Sequence, residues 1–254
     1  MSNIWTYEEH ILAYNLYCKI PFSKINSTNP PIKELARIIG RTNGSVAMKL
    51  ANFARLDPFQ QARNVSGLSQ GAKGEEVVWN EFNGNWEELA FKSEQILARY
   101  ISKSLEESSG IETADLPTVG KERESLVKIR VNQSFFRKSV IASYNFKCCI
   151  TGLAIPELLV AGHIIPWSLG VEHRTNPANG LCLNSLHDKA FDRGLMTITP
   201  DYKIKFSDKL LDKIKKSEFN DFFTPYINRK IMLPQKFHPL KEFLEYHNHN
   251  VFLF

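Results

Sequence analysis

One stretch of the chain, residues 102–125, is so poor in apolar side chains that it divides the sequence into two parts. It contains no aromatic residue, is rich in Ser, Glu and Gly, and includes Pro117. A segment of this kind has little apolar surface to bury, and its composition is typical of a linker. The length of 254 residues suits one large or two small domains. We therefore predict a domain at 1–103, a linker at 104–125 and a second domain at 126–254.

The overall composition is that of an ordinary folded protein. Hydrophobic residues make up 43% and charged residues 23% of the chain, which argues against a wholly disordered or fibrous protein. No apolar run approaches the roughly 18 residues of a membrane span. The N-terminus has neither the basic start nor the apolar core of a secretory signal. We therefore expect a cytoplasmic protein that has no membrane partner.

The charge and the cysteines narrow the function only a little. The net charge of +5, from 32 Lys and Arg against 27 Asp and Glu, permits nucleic-acid binding but does not require it. The four cysteines are Cys18, Cys148, Cys149 and Cys182, and they include no Cys-x-x-Cys pair. We expect reduced thiols, with Cys149 and Cys182 facing the core. A zinc site on these two would lack a third and a fourth soft ligand.

The N-terminal part has the signals of short helices. Thr6 and Glu9 form a capping-box pattern at the start of the first helix, and Pro21 ends it. Gly40 ends a second helix, and Thr42 or Asn43 caps a third. We therefore predict a helical domain that includes a turn between its second and third helices.

These three helices resemble a Myb/SANT-like helix-turn-helix. The resemblance depends on Trp5 and residues 8–9 at the start and on residues 38–42 and 45–46 around the turn. It implies that the third helix lies in the major groove of DNA, with its first side chains on base edges. The implied DNA contacts are Arg41, Thr42, Asn43, Ser45 and Lys49. The alternative is a plain helical bundle whose polar surface is solvated.

The C-terminal part mixes strands with helices, so we predict the α+β class for the chain. The predicted strands are 126–131, 158–164, 181–183, 195–199 and 203–206, together with a strand that runs into a turn at 149–152, and the predicted helices are 133–144 and the segment capped by Asn184. The tail that contains His247 and His249 is predicted to be strand-like or frayed.

Three polar residues recur within this strand–strand–helix pattern. His163 ends one strand, Asn179 precedes a glycine that opens the next, and His187 lies early on the following helix. Ile-Ile-Pro-Trp follows the first histidine, and Asp-Lys-Ala-Phe-Asp follows the second. This stretch resembles the HNH endonuclease family with its ββα-metal fold, and it is most similar to the restriction-endonuclease-like branch.

The resemblance implies a chemistry for each residue. His163 is expected to act as the general base that deprotonates the attacking water. Asn179 would hold the loop or orient the imidazole. His187 would bind one divalent cation, which stabilises charge on the scissile phosphate and on the leaving 3′ oxygen. The expected products carry a 5′-phosphate and a 3′-hydroxyl.

One position departs from the family pattern. Many members have Asp or His immediately before the catalytic histidine, whereas this chain has Gly162, which offers no ligand atom. Asp188 and Asp192 are the nearby carboxylates, and we predict Asp192 as the second metal ligand; alternatively it pairs with Arg174 or Arg193. We expect Mg²⁺ or Mn²⁺, with Zn²⁺ or Ni²⁺ as alternatives. Arg174 would grip a phosphate or pair with a loop carboxylate.

The sequence therefore predicts a two-domain DNA endonuclease whose helical domain recognises double-stranded DNA. The resemblance implies a restriction or defence nuclease, including one that depends on a base modification. Because one such site cuts one strand, double-strand cleavage would require a homodimer. Two alternatives remain open: a DNA-binding regulator with a degenerate nuclease domain, which Gly162 favours, and an RNA-directed or structure-specific nuclease whose N-terminal part binds protein.

Overall fold

The computed structural model describes residues 4–63, 73–114, 116–117, 119–215 and 218–253, without the side chains of 218–219. The chain divides into an N-terminal unit, Met1–Ser143, and a C-terminal unit, Tyr144–Phe254. The first is helical and the second combines short antiparallel strands with helices, so the predicted α+β class is confirmed. None of the helices in the described ranges is long and apolar enough to cross a membrane.

Helices form the N-terminal unit around a core of aromatic rings. They are α1 (Tyr7–Lys19), α2 (Pro30–Ile38), α3 (Asn43–Leu56), α4 (Pro58–Gln61), α5 (Lys73–Phe82), α6 (Trp86–Tyr100), α7 (Leu105–Ser109) and α8 (Lys121–Ser143). Thr6 and Glu9 form the predicted capping box, and Thr42 caps α3 by accepting a hydrogen bond from the Ser45 amide. On α1, the fully buried ring of Tyr14 packs against Phe53 of α3. Side-chain caps on the helices and buried contacts between aromatic rings therefore stabilise this unit.

The strand predicted at 126–131 is wrong, because these residues lie within α8. The alternation of apolar and polar residues there also fits a helix. Val127, Val131 and Phe135 are buried at intervals of four residues, which places them on one helical face. The helix packs against α1 and α6 and thus belongs to the N-terminal unit.

The division between the units consequently lies after Ser143 rather than within the linker predicted at 104–125. That segment contains α7 and the first turn of α8. Residues 115 and 118 of the predicted linker lie outside the described residues. α7 is short, and the capping box at Ser104 satisfies the backbone amides at its start. It can therefore form although the segment has few apolar residues.

The C-terminal unit is built on two antiparallel strand pairs. Its elements are β1 (Leu159–His163), β2 (Gly180–Asn184), α9 (Ser185–Asp192), β3 (Met196–Ile198), β4 (Ile204–Phe206), α10 (Asp208–Ile214) and α11 (Lys241–Asn250). β1 pairs with β2 so that His163 faces Gly180, β3 pairs with β4, and α9 packs on both strands of the first pair. The expected ββα arrangement of β1, β2 and α9 is present.

Two local predictions in this unit differ from the structure. Residues 149–152 form a turn without a strand; the Cys149 amide donates to the Cys182 carbonyl at 2.7 Å. Both thiols are buried, which confirms that they face the core. The tail is helical, since His247 and His249 lie within α11.

His247 is a core residue of the C-terminal unit. Its ring stacks on Phe191 of α9, with centroids 3.7 Å apart, and its Nδ1 lies 2.8 Å from the Thr197 hydroxyl of β3. Burial lowers its pKa to about 4, so the ring is neutral. After α11, the Leu253 amide donates to the Gly194 carbonyl at 2.8 Å. The last helix therefore covers α9 and β3.

Candidate active site

His163 lies at the end of β1, beside the loop that leads to β2. Its Nε2 is 2.9 Å from the carbonyl oxygen of Arg174. Because a carbonyl only accepts hydrogen bonds, Nε2 carries a proton, and Nδ1 is the basic nitrogen of the neutral ring. The backbone thus selects one tautomer of His163 and fixes the direction of the imidazole.

The surroundings of His163 favour its neutral form. Burial lowers the pKa of its imidazole, while the hydrogen bond to the Arg174 carbonyl and the charge of Asp192 act in the opposite direction. The net effect holds the pKa below the usual value of 6.5. At neutral pH the ring can therefore accept a proton, as a general base must.

Arg174 brings a positive charge to the same loop. Its Nε donates to the Trp167 carbonyl at 2.7 Å, and its guanidinium lies 4.9 Å above the Trp167 ring. The edge of that indole also meets the His163 ring, at 5.5 Å between centroids. Arg174 makes no ion pair within the part of the chain that the structure describes. A pairing with a loop carboxylate is therefore not seen.

Asn179 holds the loop between β1 and β2. Its Oδ1 accepts from the Ile165 amide at 2.8 Å, and its Nδ2 lies 3.2 Å from the Ile165 carbonyl and 3.3 Å from the His173 carbonyl. The side chain is fully buried. Of the two roles that we expected, this geometry favours holding the loop over direct orientation of the imidazole.

His187 lies in a buried, aromatic environment on α9. The residue is only 1% exposed and packs against the rings of Phe223 and Tyr226. Its Nδ1 lies 3.1 Å from Asn184 Oδ1 and its Nε2 lies 3.1 Å from the Phe222 carbonyl. Both ring nitrogens therefore face protein oxygen atoms, and burial lowers the pKa of this ring. His163 instead meets the Arg174 carbonyl and the Trp167 ring.

The carboxylate of Asp188 occupies the space beside Gly162. A Cβ atom at position 162 would lie 2.5 Å from Asp188 Oδ1, so a side chain there would require the Asp188 carboxylate to move. Burial and the nearby charge of Asp192 raise the pKa of Asp188 to about 6. Asp188 and Asp192 are four residues apart and so share one face of α9. The missing ligand before His163 is therefore matched in space by a carboxylate from the helix.

Two features of the sequence bear on this contact between the helix carboxylate and Gly162. The spacing of Asp188 and Asp192 indicates a common helical face, and Gly162 indicates room for a neighbouring group. Only the packing of α9 on β1 shows that the two features meet.

The predicted metal pair of His187 and Asp192 does not fit the structure. A nitrogen ligand needs a lone pair directed at the metal, whereas both nitrogens of His187 face oxygens of the protein. No group of three His, Cys, Asp or Glu side chains that could hold a metal occurs among the described residues. The oxygen donors on the side of His163 are the carboxylates of Asp188 and Asp192.

Two of the predicted DNA contacts are buried in ion pairs, which contradicts their proposed role. The Arg41 guanidinium pairs with Glu9 at 2.7 Å, with side-chain exposures of 8% and 6%. Lys49 pairs with Glu75 at 2.6 Å, with exposures of 7% and 0%. Both cations also lie over the Trp5 ring, at 4.4 Å and 4.8 Å. These charges cannot reach DNA without loss of the pairs.

The remaining candidates on α3 carry no charge. Thr42 uses its hydroxyl to cap the helix, and the Ser45 hydroxyl accepts from the Trp5 indole at 3.3 Å. Asn43 is half-buried. This arrangement favours the plain helical bundle over a helix that reads the major groove.

The comparisons with known proteins bear on the C-terminal unit. Residues 148–199 match a family model described as HNH endonuclease, and this range contains β1, β2, α9 and β3. No curated protein matches the chain. For the segment 148–199, the match confirms the HNH endonuclease family that the motifs around His163, Asn179 and His187 indicate.

Proposed function

We propose that the chain is a metal-dependent endonuclease that hydrolyses DNA phosphodiesters with His163 as the general base. The HNH domain indicates a nuclease that acts on DNA. The observation that carries the assignment is the neutral imidazole at the end of β1. Its tautomer is selected by the Arg174 carbonyl, and its lowered pKa keeps it unprotonated, and so able to accept a proton, at neutral pH.

The proposed reaction uses the basic nitrogen of His163. Nδ1 takes a proton from water as the new oxygen–phosphorus bond forms. The bond from phosphorus to the 3′ oxygen breaks, and that oxygen takes up a proton to become the 3′-hydroxyl, leaving a 5′-phosphate. Arg174, held against Trp167, supplies positive charge for the phosphate. Asn179 acts as a positioning residue that fixes the loop.

HNH nucleases generally use a divalent metal ion, and oxygen ligands suit Mg²⁺ and Mn²⁺. In this chain Asp188 and Asp192 are the donors on the correct side of α9. His187 does not fit that role, and the buried thiols Cys149 and Cys182 are held in the core. The donor chemistry therefore favours Mg²⁺ or Mn²⁺ over Zn²⁺ or Ni²⁺.

The biological setting that we propose follows from the family resemblance. It is a cytoplasmic restriction or defence nuclease, with modified DNA as one substrate class. Because one site cuts one strand, double-strand breaks would require two copies of the chain. A plating assay with phages whose DNA carries unmodified or modified bases tests this role, since protection against neither phage would contradict it.

The cleavage experiment uses supercoiled plasmid DNA with Mg²⁺ or Mn²⁺. His163→Ala should lower the cleavage rate by about 10²–10⁴-fold, the usual contribution of a general base. His249→Ala is the matched control, because His249 is exposed on α11 of the same unit, and it should cut at the wild-type rate. Equal rates for His163→Ala and wild type would overturn the assignment.

A second candidate function is a DNA-binding regulator with a degenerate nuclease domain. Gly162 and the engaged ring of His187 favour it. This function predicts DNA binding that is unchanged by EDTA and no cleavage with any divalent ion. Any cleavage that EDTA abolishes and His163→Ala removes would exclude it.

A further inference from the structure

Three lysines of the C-terminal unit, Lys203, Lys230 and Lys241, converge on one depression that the proposed active site does not use. The cavity, of about 390 Å³, is lined by these lysines together with Pro200, Asp201 and Tyr202. We call the three lysines the lysine surface. They come from three separate segments, so only the folded unit places their charges together.

The backbone holds these segments in fixed positions. Lys203 and Lys230 form an antiparallel bridge, and the Ile231 amide donates to the Tyr202 carbonyl at 2.9 Å. The Tyr202 hydroxyl donates to the Pro239 carbonyl at 3.2 Å, just before α11 begins at Lys241. The lysine surface is therefore part of the rigid frame of the unit.

The charges of the lysine surface point to an anionic partner. All three lysines are exposed, and within the described ranges none of their ammonium groups has a hydrogen bond or an ion pair. Asp201 is the one carboxylate that lines the depression. Three cations beside one anion give the depression a positive potential. Unpaired surface lysines contribute little to stability, so stability does not explain this cluster.

A backbone hydrogen bond connects the segment of Lys241 with the active-site loop. The Leu240 amide, next to Lys241, donates to the Ala178 carbonyl at 3.3 Å. Ala178 precedes Asn179, which holds the loop after His163. A DNA strand at His163 continues as a chain of phosphates in both directions, and phosphates are the groups that unpaired lysines bind without regard to sequence.

We propose that the lysine surface binds backbone phosphates of the DNA substrate. This inference rests on the proposed function and extends the DNA footprint of the C-terminal unit beyond His163. It also supplies the cationic contacts that Arg41 and Lys49, paired inside the N-terminal unit, do not provide.

The test measures the affinity of the full chain for a double-stranded oligonucleotide over a series of NaCl concentrations. All variants carry His163→Ala so that the DNA stays intact. Each phosphate contact contributes about 0.9 to the slope of log affinity against log salt. The combined Lys203→Gln, Lys230→Gln and Lys241→Gln variant should therefore lose about 2–3 from the magnitude of that slope.

Two control variants make the result specific. Lys209→Gln, Lys213→Gln and Lys215→Gln together remove the same charge from α10 and the residue that follows it, and they should leave the slope unchanged. The combined Lys203→Arg, Lys230→Arg and Lys241→Arg variant retains the charge and should preserve the wild-type slope. An unchanged slope in the glutamine variant, or an equal loss in the α10 control, would overturn the proposal.

Cleavage by the chain with His163 intact separates this inference from the proposed function. If that chain does not cut DNA but the slope falls as expected, the lysine surface holds and the nuclease assignment fails. If it cuts DNA and the slope does not fall, only the lysine surface is wrong.

Discussion

Two sets of cations, one in each unit, lie in opposite environments. In the N-terminal unit, Arg41 and Lys49 are buried against Glu9 and Glu75. In the C-terminal unit, the lysine surface is exposed and has no ion pair among the described residues. The comparison teaches that a basic residue on a predicted recognition helix indicates DNA binding only when its side chain has no acidic partner in the fold. Cations of the first kind stabilise structure, and those of the second kind attract ligands.

Of the changes considered, Lys49→Met should lower the free energy of unfolding the most. Removing Lys49 leaves the fully buried Glu75 without its cation, which costs about 3–5 kcal/mol of unfolding free energy. Lys241→Met, at an exposed position, should change it by less than about 0.5 kcal/mol. Urea denaturation followed by circular dichroism measures both. Similar values for the two variants would break the distinction between the units.

Asn179→Ala should have an intermediate effect, confined to the C-terminal unit. The change leaves the buried polar backbone groups that Asn179 contacts without partners, which costs about 1–3 kcal/mol, and it lowers the cleavage rate because the loop beside His163 loosens. Asn176→Ala is the matched control. It removes the one hydrogen bond to the Ala178 amide, so some stability is lost while the cleavage rate per folded molecule stays at the wild-type value.

The pH dependence should also separate the two units. Cleavage should fall about tenfold per pH unit as the pH drops below the lowered pKa of His163, because only the neutral ring accepts a proton. Protonation of Asp188 near pH 6 would deepen the loss. Glu9 and Glu75 have pKa values below 4.5, so their pairs persist until more acidic pH. Cleavage rates and N-terminal melting from pH 5 to 8 check this, and parallel losses would contradict it.

The sequence predicted what depends on neighbouring residues. The β1, β2 and α9 succession follows from local alternation and from the cap at Asn184, which the structure confirms. The capping box of Thr6 and Glu9, which also depends on neighbouring residues, is likewise confirmed.

What the sequence could not predict depends on distant partners. Glu75, which neutralises Lys49, comes from another helix, and Phe222, which faces His187, lies in a separate turn. Neither contact produces a recognisable pattern in the sequence around Lys49 or His187. The strand predicted at 126–131 failed for another reason, since the short alternation there fits both a strand and one turn of a helix.

The cover that α11 gives to α9 has a practical consequence for anyone who isolates the nuclease motif. A fragment trimmed to the matched range 148–199 would expose the face of Phe191 on which His247 stacks and would lose the hydrogen bond between Leu253 and Gly194. The catalytic segment and its folding unit are therefore different stretches of polypeptide, and excision at the motif's edges would yield an aggregation-prone peptide in place of a minimal enzyme.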